Sequence, residues 1–212
     1  MLKIPDGDFM FIQYGEEEIT HLKERDKQLG AAIDKIGPVK RRTDSDLFSS
    51  VVRHIVGQQI STAAQRTVWQ RMCNTLGDIT PSSVKAVTVE DLQANGITFK
   101  KAEYIKDFAD KVLSGEFDID SLFLKNDDEV IARLSTLKGV GTWTAEMVMI
   151  FCMQRPDILS FGDLAIRRGM QRLYGHKKIS HVLFEKYRRR YSPYGTTASL
   201  YLWAIAGKVN SD

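Results

Sequence analysis

The stretch at residues 137–163 reads LKGVGTWTAEMVMIFCMQRPDILSFGD, and it decides how the chain folds. Just before it, Asn126 and Glu129 have the three-residue spacing of a capping box, which predicts that a helix begins there. The tripeptide GVG at residues 139–141 then predicts a tight reversal, because glycine adopts positive φ without steric cost. The pattern therefore predicts a helix, a short glycine hairpin and a second helix.

The second helix is predicted to have Thr142 as its cap. Its apolar residues recur at helical spacing, and they are Ala145, Val148, Met149 and Cys152. The N-terminus of a helix exposes successive backbone N–H groups, which suit a phosphate. An ordinary helix-to-helix turn is the alternative, and two glycines alone would favour it.

The residues after the hairpin favour the phosphate-binding interpretation. Pro156 predicts the end of the second helix, a loop containing Gly162 follows, and Asp163 opens a further helix with the sequence LAIRRGMQRLYG. A hairpin, a Gly/Pro-rich loop and an aspartate in this order resemble the helix-hairpin-helix DNA glycosylases. The segments GTWTAEMV, GDLAIRRG, GQQIS at residues 57–61 and LYLW at residues 200–203 make the chain most similar to the 3-methyladenine DNA glycosylase II group.

The rest of the chain is predicted to be all-α, with roughly ten helices, since no strong alternating pattern follows the N-terminus. One helical pattern runs from Glu16 to Gly37-Pro38, and Asp44 or Ser45 is the expected cap of the next helix. Residues 1–15 fit either a short edge strand or an ordered arm. The resemblance implies two helical subdomains with a cleft between them, residues 42–155 and residues 1–41 plus 156–212.

The resemblance assigns the chemistry to Asp163. Cleavage of an N-glycosidic bond builds positive charge on the sugar, and a nearby carboxylate stabilises that state and can activate water. A simple helix cap is the alternative role for Asp163. Bifunctional relatives place a nucleophilic lysine where Trp143 stands here, and tryptophan cannot form a Schiff base, so a monofunctional enzyme is expected.

The resemblance places Trp143 and Trp203 at the pocket for the damaged base. Alkylation at N3 or N7 of a purine leaves a positively charged base, which electron-rich aromatic faces attract. The expected substrates are therefore 3-methyladenine and 7-methylguanine in duplex DNA. For Trp203, in an apolar helix, a place in the core is the alternative.

The expected contacts with DNA lie at two places. One is the bend at GQQIS, where Gln59, or alternatively Gln58, matches the wedge that fills the space of the extruded base. The other is the hairpin, where the resemblance also implies a monovalent cation held by the backbone of residues 137–141. The full set of expected DNA contacts is Gln58, Gln59, Ser61, Lys138, Gly139, Val140, Gly141 and Thr142.

Charge and composition fit these expectations. Residues 131–212 hold 13 Lys and Arg against 5 Asp and Glu, whereas residues 1–130 hold 17 against 22, so the basic part contains the hairpin and attracts a polyanion. Lys100 and Lys101 are expected either to contact phosphates or to be solvated. The two cysteines, Cys73 and Cys152, exclude the four-cysteine iron–sulfur cluster of some superfamily members and predict reduced core thiols.

No apolar run is long enough to span a bilayer and no N-terminal signal is evident. An intracellular, monomeric enzyme without a cofactor is therefore expected. Two alternatives stay open: a glycosylase of the same superfamily for oxidised or mismatched bases, and a non-catalytic helix-hairpin-helix DNA-binding protein.

Overall fold

The computed structural model describes residues 11–207, and within them the protein is helical. The only β-type pairing in these residues is an isolated antiparallel bridge between Phe11 and Arg42. The predicted all-α fold is confirmed; the strand or arm expected for residues 1–10 lies outside the described residues. The helices are α1 Glu16–Arg25, α2 Lys27–Ile36, α3 Leu47–Gly57, α4 Thr62–Leu76, α5 Pro81–Ala86, α6 Val89–Ala94, α7 Phe99–Leu113, a 3₁₀ turn Asp120–Leu124, α8 Asp127–Leu134, α9 Thr142–Phe151, α10 Leu164–Tyr174, α11 His181–Tyr191 and α12 Gly195–Ile205.

Residues 11–207 thus contain twelve α-helices, two more than expected. One added boundary lies at Asp26, where the predicted single helix of residues 16–36 breaks into α1 and α2. Asp26 has extended backbone geometry, and its carboxylate accepts hydrogen bonds from the N–H groups of Gln28 and Leu29, so it caps α2. The apolar spacing continues across the break, because both helices bury one face, and this continuity concealed the boundary.

Two other predicted boundaries were wrong. The cap of α3 is Asp46, whose carboxylate accepts from the N–H groups of Phe48 and Ser49, and not Asp44 or Ser45. Helix α9 ends at Phe151, five residues before Pro156. The chain has already reversed there, since Gln154 has a φ of 51° and the N–H of Arg155 donates to the carbonyl of Met149 at 2.9 Å.

The described residues form two compact units by backbone proximity. The first, here called the central unit, is residues 44–148. The second, called the terminal unit, joins the described residues 11–43 and 149–207, so the division falls within α9. Each unit has its own apolar core.

Aromatic and aliphatic side chains fill both cores. In the central unit, Phe48 of α3 stacks on Phe108 of α7 with ring centroids 4.8 Å apart, and Phe117 meets Phe108 edge-on at 5.6 Å. In the terminal unit, Tyr191 and Tyr201 are the largest fully buried side chains. Burial of this apolar surface is the main force that holds the helices together.

In the terminal unit, α10 packs directly on α12, and a glycine makes this possible. A Cβ atom at Gly169 would lie 2.2 Å from the carbonyl oxygen of Leu202, a distance that no side chain tolerates. The close approach fixes α10 and therefore its N-terminus, where Asp163 lies.

Candidate functional site

The hairpin between α8 and α9 has the predicted form. Asn126 caps α8: its side-chain oxygen accepts from the backbone N–H of Glu129, and its own backbone N–H donates to the carboxylate of Glu129, so the predicted capping box is confirmed. After α8, the N–H of Leu137 donates to the carbonyl of Leu134 at 3.0 Å, and the N–H of Val140 donates to that of Leu137 at 3.1 Å. These bonds close the turn.

The two glycines of the hairpin have different roles. Gly139 has a φ of 79°, and a Cβ there would lie 2.3 Å from the ring of Tyr104 on α7, so both backbone geometry and packing demand glycine. Gly141 has no atom within 4 Å of an added Cβ. Its carbonyl accepts from the N–H of Ala145 at 3.0 Å, so Gly141 is in the cap position and Thr142 is the first residue of α9 instead of its cap.

Burial alternates along the hairpin in a way that presents its backbone to solvent. Leu137 and Val140 are buried and anchor the turn in the central unit. Gly139, Gly141 and Thr142 are exposed. Since the first turn of a helix leaves its N–H groups without partners in the helix, this surface is suited to an anion.

Lys138 lies at the same tip but is paired. Its Nζ lies 2.7 Å from Oδ1 of Asp107 on α7, and its side chain is 61% exposed. The hydrogen bond to Asp107 is the main cause of the raised pKa of Lys138. The predicted contact between Lys138 and DNA therefore requires that it share or leave this carboxylate.

The bend between α3 and α4 carries the two glutamines. Gln58 follows the last residue of α3, and Ser61 caps α4 by accepting from the N–H of Ala64 at 3.2 Å. Gln59 has a φ of 60°, one of two non-glycine residues with positive φ among residues 11–207. Gln59 and Ile60 are exposed at this bend, and Ile60 is 40% exposed.

Gln58 and Gln59 differ in their surroundings. The side-chain amide of Gln58 donates to the carbonyl of Gly139 at 2.7 Å and to Oγ1 of Thr144 at 3.2 Å. The structure thus brings the bend and the hairpin together, 81 residues apart in the sequence. Sequence reasoning missed Thr144, since nothing in its local pattern distinguishes it from other helical threonines.

Lys101 is bonded to the backbone at the end of α3. Its Nζ donates to the carbonyls of Val56 and Gln58 at 2.8 and 2.7 Å, at the C-terminal end of α3. Burial lowers the pKa of Lys101. The ammonium group is therefore bonded to two backbone carbonyls at the end of α3, where a cation is favoured, and is not simply solvated.

Asp163 lies at the N-terminus of α10 in the terminal unit. Its Oδ1 accepts from the N–H groups of Ala165 and Ile166 at 2.7 and 2.9 Å, and the residue is 6% exposed. Asp163 is therefore a helix cap, which was one of its two expected roles. These two bonds also fix the plane of its carboxylate.

An aromatic residue, Phe161, lies two positions before Asp163 in the sequence. The guanidinium of Arg167 lies 5.1 Å from the ring centroid of Phe161, which is also edge-on to Phe184. The sequence analysis did not single out this pair. An aromatic residue two positions before the aspartate was the available signal.

The two predicted pocket tryptophans lie in different environments. Trp143, in the first turn of α9, is 37% exposed, whereas Trp203 of α12 is 3% exposed. Trp203 stacks on Phe151 with centroids 5.6 Å apart, and Arg41 lies 5.8 Å from its ring. Trp143 is therefore partly exposed, and Trp203 is enclosed by the terminal unit.

Residues 11–207 bear on two further predictions, that the cysteines are reduced core thiols and that no segment spans a membrane. Neither Cys73 nor Cys152 forms a disulfide, as expected of reduced thiols, but each is half-buried, so neither is a full core residue. None of the helices described has the length and apolar character needed to cross a membrane.

A family model for the HhH-GPD superfamily base excision DNA repair protein matches residues 52–193, a span that includes the bend, the hairpin and Asp163. The chain belongs to this superfamily. The predicted family is confirmed.

Individual relatives agree with the family. The DNA-3-methyladenine glycosylase 1 of Schizosaccharomyces pombe is 27% identical over 193 residues, covering 89% of this chain and 85% of the relative. The crystal structure of a DNA-3-methyladenine glycosidase from Bacillus halodurans is 33% identical, covers 93% of each chain and superposes with a TM-score of 0.82. The structure of an S. pombe 3-methyladenine DNA glycosylase with abasic DNA shares the fold at 24% identity, with a TM-score of 0.79 and coverage of 88% of this chain and 95% of that one. The chain is accordingly a DNA glycosylase by class.

The HhH-GPD resemblance implies a monovalent cation at the hairpin, and the residues present fit one. The carbonyls of Leu137 and Gly139 each accept one hydrogen bond, and a carbonyl oxygen has a second lone pair. Neutral oxygen ligands of this kind suit a hard cation of low charge. Elsewhere in residues 11–207, no group of three or more His, Cys, Asp and Glu side chains could hold a metal ion.

Proposed function

We propose that the protein is a monofunctional DNA glycosylase that extrudes alkylated purines from duplex DNA and hydrolyses their N-glycosidic bonds. The proposal rests on the presence, in an HhH-GPD chain, of a buried carboxylate at Asp163, bonded to two backbone N–H groups, and of a partly exposed tryptophan at Trp143. The names of the relatives, which are DNA-3-methyladenine glycosylases, support the same substrates. The proposed substrates are 3-methyladenine and 7-methylguanine.

The proposed role of Asp163 is electrostatic. When the bond between C1′ and the base nitrogen breaks, the electron pair leaves with the base and the sugar becomes positively charged. A carboxylate beside the sugar stabilises this charge and can accept a proton from the water that adds to C1′. The two N–H groups bound to Oδ1 hold the carboxylate in one orientation, so little reorganisation accompanies the reaction.

The proposed anchor on the DNA strand is the hairpin. Its exposed residues Gly139, Gly141 and Thr142 offer N–H groups beside a helix N-terminus, which bind phosphate without reading sequence. The carbonyls of Leu137 and Gly139 would hold a monovalent cation, which would supply positive charge toward the same phosphate. The neighbouring Lys138 adds charge to this surface despite its pairing with Asp107.

Gln59 is the proposed wedge. An exposed side chain at the tip of a bend can enter the space left by an extruded base. Its φ of 60° costs free energy in a residue other than glycine, and such strain is found preferentially at functional sites. Its amide can also hydrogen-bond to the base that remains in the opposite strand. Ser61, which caps α4, completes the expected contacts at this bend.

Trp143 is proposed to bind the damaged base by stacking. A cationic purine gains about 1–2 kcal/mol from an aromatic face when both are shielded from water. The positively charged base is already a good leaving group, so the enzyme need not protonate it. Trp203 is proposed to support the pocket, although its burial against Phe151 gives it the character of a core residue.

Release of free bases tests the proposal. The purified protein should liberate 3-methyladenine, and 7-methylguanine more slowly, from methylated duplex DNA, with little action on 8-oxoguanine or thymine glycol duplexes. The released bases are separated and quantified by chromatography. Trp143→Ala should slow release of the cationic bases, whereas Trp143→Phe, which keeps an aromatic face, should retain most of it.

Two outcomes would contradict the proposal. Activity confined to oxidised duplexes would assign the protein to another lesion class. Binding to abasic-site duplexes without release of any base would instead indicate a non-catalytic helix-hairpin-helix protein.

A further inference from the structure

The side chain of Gln58 connects the two parts of the central unit that are proposed to touch DNA. Its amide nitrogen lies 2.7 Å from the carbonyl oxygen of Gly139 and 3.2 Å from Oγ1 of Thr144. The carbonyl can only accept a hydrogen bond, so the amide group facing it is the NH₂ and not the oxygen. Both N–H donors of Gln58 are therefore used within the protein.

The backbone of the bend is held from the other side. Lys101 donates to the carbonyls of Val56 and Gln58, which lie at the C-terminal end of α3, where a cation is favoured. The bend is thus fixed both by the ammonium group of Lys101 and by the amide of Gln58. Gln59, the next residue, is exposed and has a positive φ.

Thr144 and Gly139 make the contact a fixed one. Thr144 lies in α9 and is 3% exposed, so its hydroxyl cannot move without moving the helix. Gly139 is pressed against Tyr104 and cannot shift toward α7. Through a hydrogen bond to each of these rigid partners, Gln58 holds the bend in a fixed position relative to the hairpin.

We infer that Gln58 is a positioning residue, which couples the phosphate-binding hairpin to the bend that carries Gln59 and does not itself contact DNA. The inference rests on the proposed function, in which the hairpin anchors the strand and Gln59 fills the space of the extruded base. The hairpin that anchors the phosphate and the Gln59 side chain that enters the DNA are then held in a fixed position relative to each other. Loss of the Gln58 bridge should impair extrusion of a paired base more than it impairs the bond-breaking step.

The test uses Gln58→Glu, which keeps the shape of the side chain but removes both donors when the new carboxyl is ionised. Single-turnover excision is measured on two substrates: a lesion paired in a duplex, and the same lesion in an unpaired bubble, where extrusion costs little. At pH 8 the variant should be about tenfold slower than wild type on the paired lesion, as expected for the loss of one to two hydrogen bonds. On the bubble it should be close to wild type.

The pH profile separates positioning from general damage to the fold. Protonation of the introduced carboxyl at lower pH restores an O–H donor toward Gly139, so the ratio of variant to wild-type rate on the paired lesion should recover as the pH falls from about 6 to 4, across the ordinary glutamate pKa of about 4.3. The matched control is Gln70→Glu, the same change on the exposed face of α4, which should show neither the loss nor the recovery. Melting temperatures are recorded for all proteins at each pH.

Three results would overturn the inference: equal loss on paired and bubble lesions, a rate ratio independent of pH, or wild-type excision by Gln58→Glu at pH 8. If Gln58→Glu does not fold, Gln58→Met, which has a similar length and no donor, replaces it and should show the same preference for the bubble. If the wild type releases no base at all, the proposed function fails instead. The positioning role is then measured with a duplex that carries 2-aminopurine as the base to be extruded, whose fluorescence rises on unstacking and reports extrusion without cleavage; an equal signal from wild type and Gln58→Glu would overturn it.

Discussion

Replacement of Asp163 by asparagine separates its two roles. Asparagine caps a helix about as well as aspartate, because its side-chain oxygen accepts the same N–H bonds. Asp163→Asn should therefore keep the contacts to Ala165 and Ile166, which the structure gives as 2.7 and 2.9 Å, while removing the negative charge. If the charge stabilises the sugar cation, the variant should fold normally and release bases poorly.

The magnitudes differ enough to be measured separately. Loss of the charge at a helix N-terminus costs about 0.3–1 kcal/mol of folding stability. Loss of a preorganised electrostatic contact with a transition state slows a reaction about 100- to 1,000-fold, equivalent to about 3–4 kcal/mol of activation free energy. Asp163→Ala should show the same catalytic loss and a further loss of about 1 kcal/mol in stability, because the cap is removed.

Asp46 provides a matched control within the same chain. It caps α3 with bonds to the N–H groups of Phe48 and Ser49, so Asp46→Asn removes an equivalent charge from an equivalent cap. The assays are single-turnover release of 3-methyladenine, binding to an abasic-analogue duplex, and thermal unfolding. Asp46→Asn should match Asp163→Asn in stability and match the wild type in release.

Either of two results would refute a catalytic role for Asp163. Near-normal release by Asp163→Asn would leave Asp163 as a cap alone. A loss of release no larger than that of Asp46→Asn would show that the effect comes from folding stability and not from the chemistry.

Three further predictions concern the hairpin and the core. Because tryptophan stands at position 143, borohydride treatment during the reaction should trap no covalent adduct with DNA and the abasic strand should stay intact; efficient trapping would contradict the monofunctional mechanism. Gly139→Ala should destabilise the fold by at least about 1–2 kcal/mol, owing to its positive φ and the ring of Tyr104, whereas Gly141→Ala should melt close to wild type; calorimetry distinguishes the two. Burial lowers the pKa of His54 from 6.5 to about 4. Between pH 7 and 5 the unfolded chain therefore binds a proton at His54 that the folded chain does not bind. The free energy of unfolding should fall by about 2 kcal/mol over this range. In urea titrations His54→Gln should lack this loss; an unchanged pH dependence would remove His54 as its cause.

The features that the sequence predicted correctly depend on partners a few residues away. The capping box of Asn126 and Glu129 and the capping role of Asp163 each involve bonds across two or three residues. Helix geometry fixes where those partners lie, so residue type and spacing suffice. The errors at Asp46 and Phe151 were shifts of a boundary, because several polar residues near α3 can cap and the chain after α9 reverses without a proline.

The features that only the tertiary structure decided depend on partners far along the chain. Gln58 reaches Gly139 across 81 residues, Lys101 reaches the end of α3 across more than 40, and Lys138 reaches Asp107 across 31. The burial of Trp203, predicted for the pocket, is of the same kind, because Phe151 and Arg41 cover it only after folding. The sequence by itself determined the hairpin and the capping aspartate, since these follow from local backbone geometry; it predicted the all-α class from periodicity and the family from the resemblance of its motifs. The packing of the helices decided which polar side chains face solvent and which connect parts of the site. A long polar side chain forms a hydrogen bond with whichever partner the fold brings within about 3 Å.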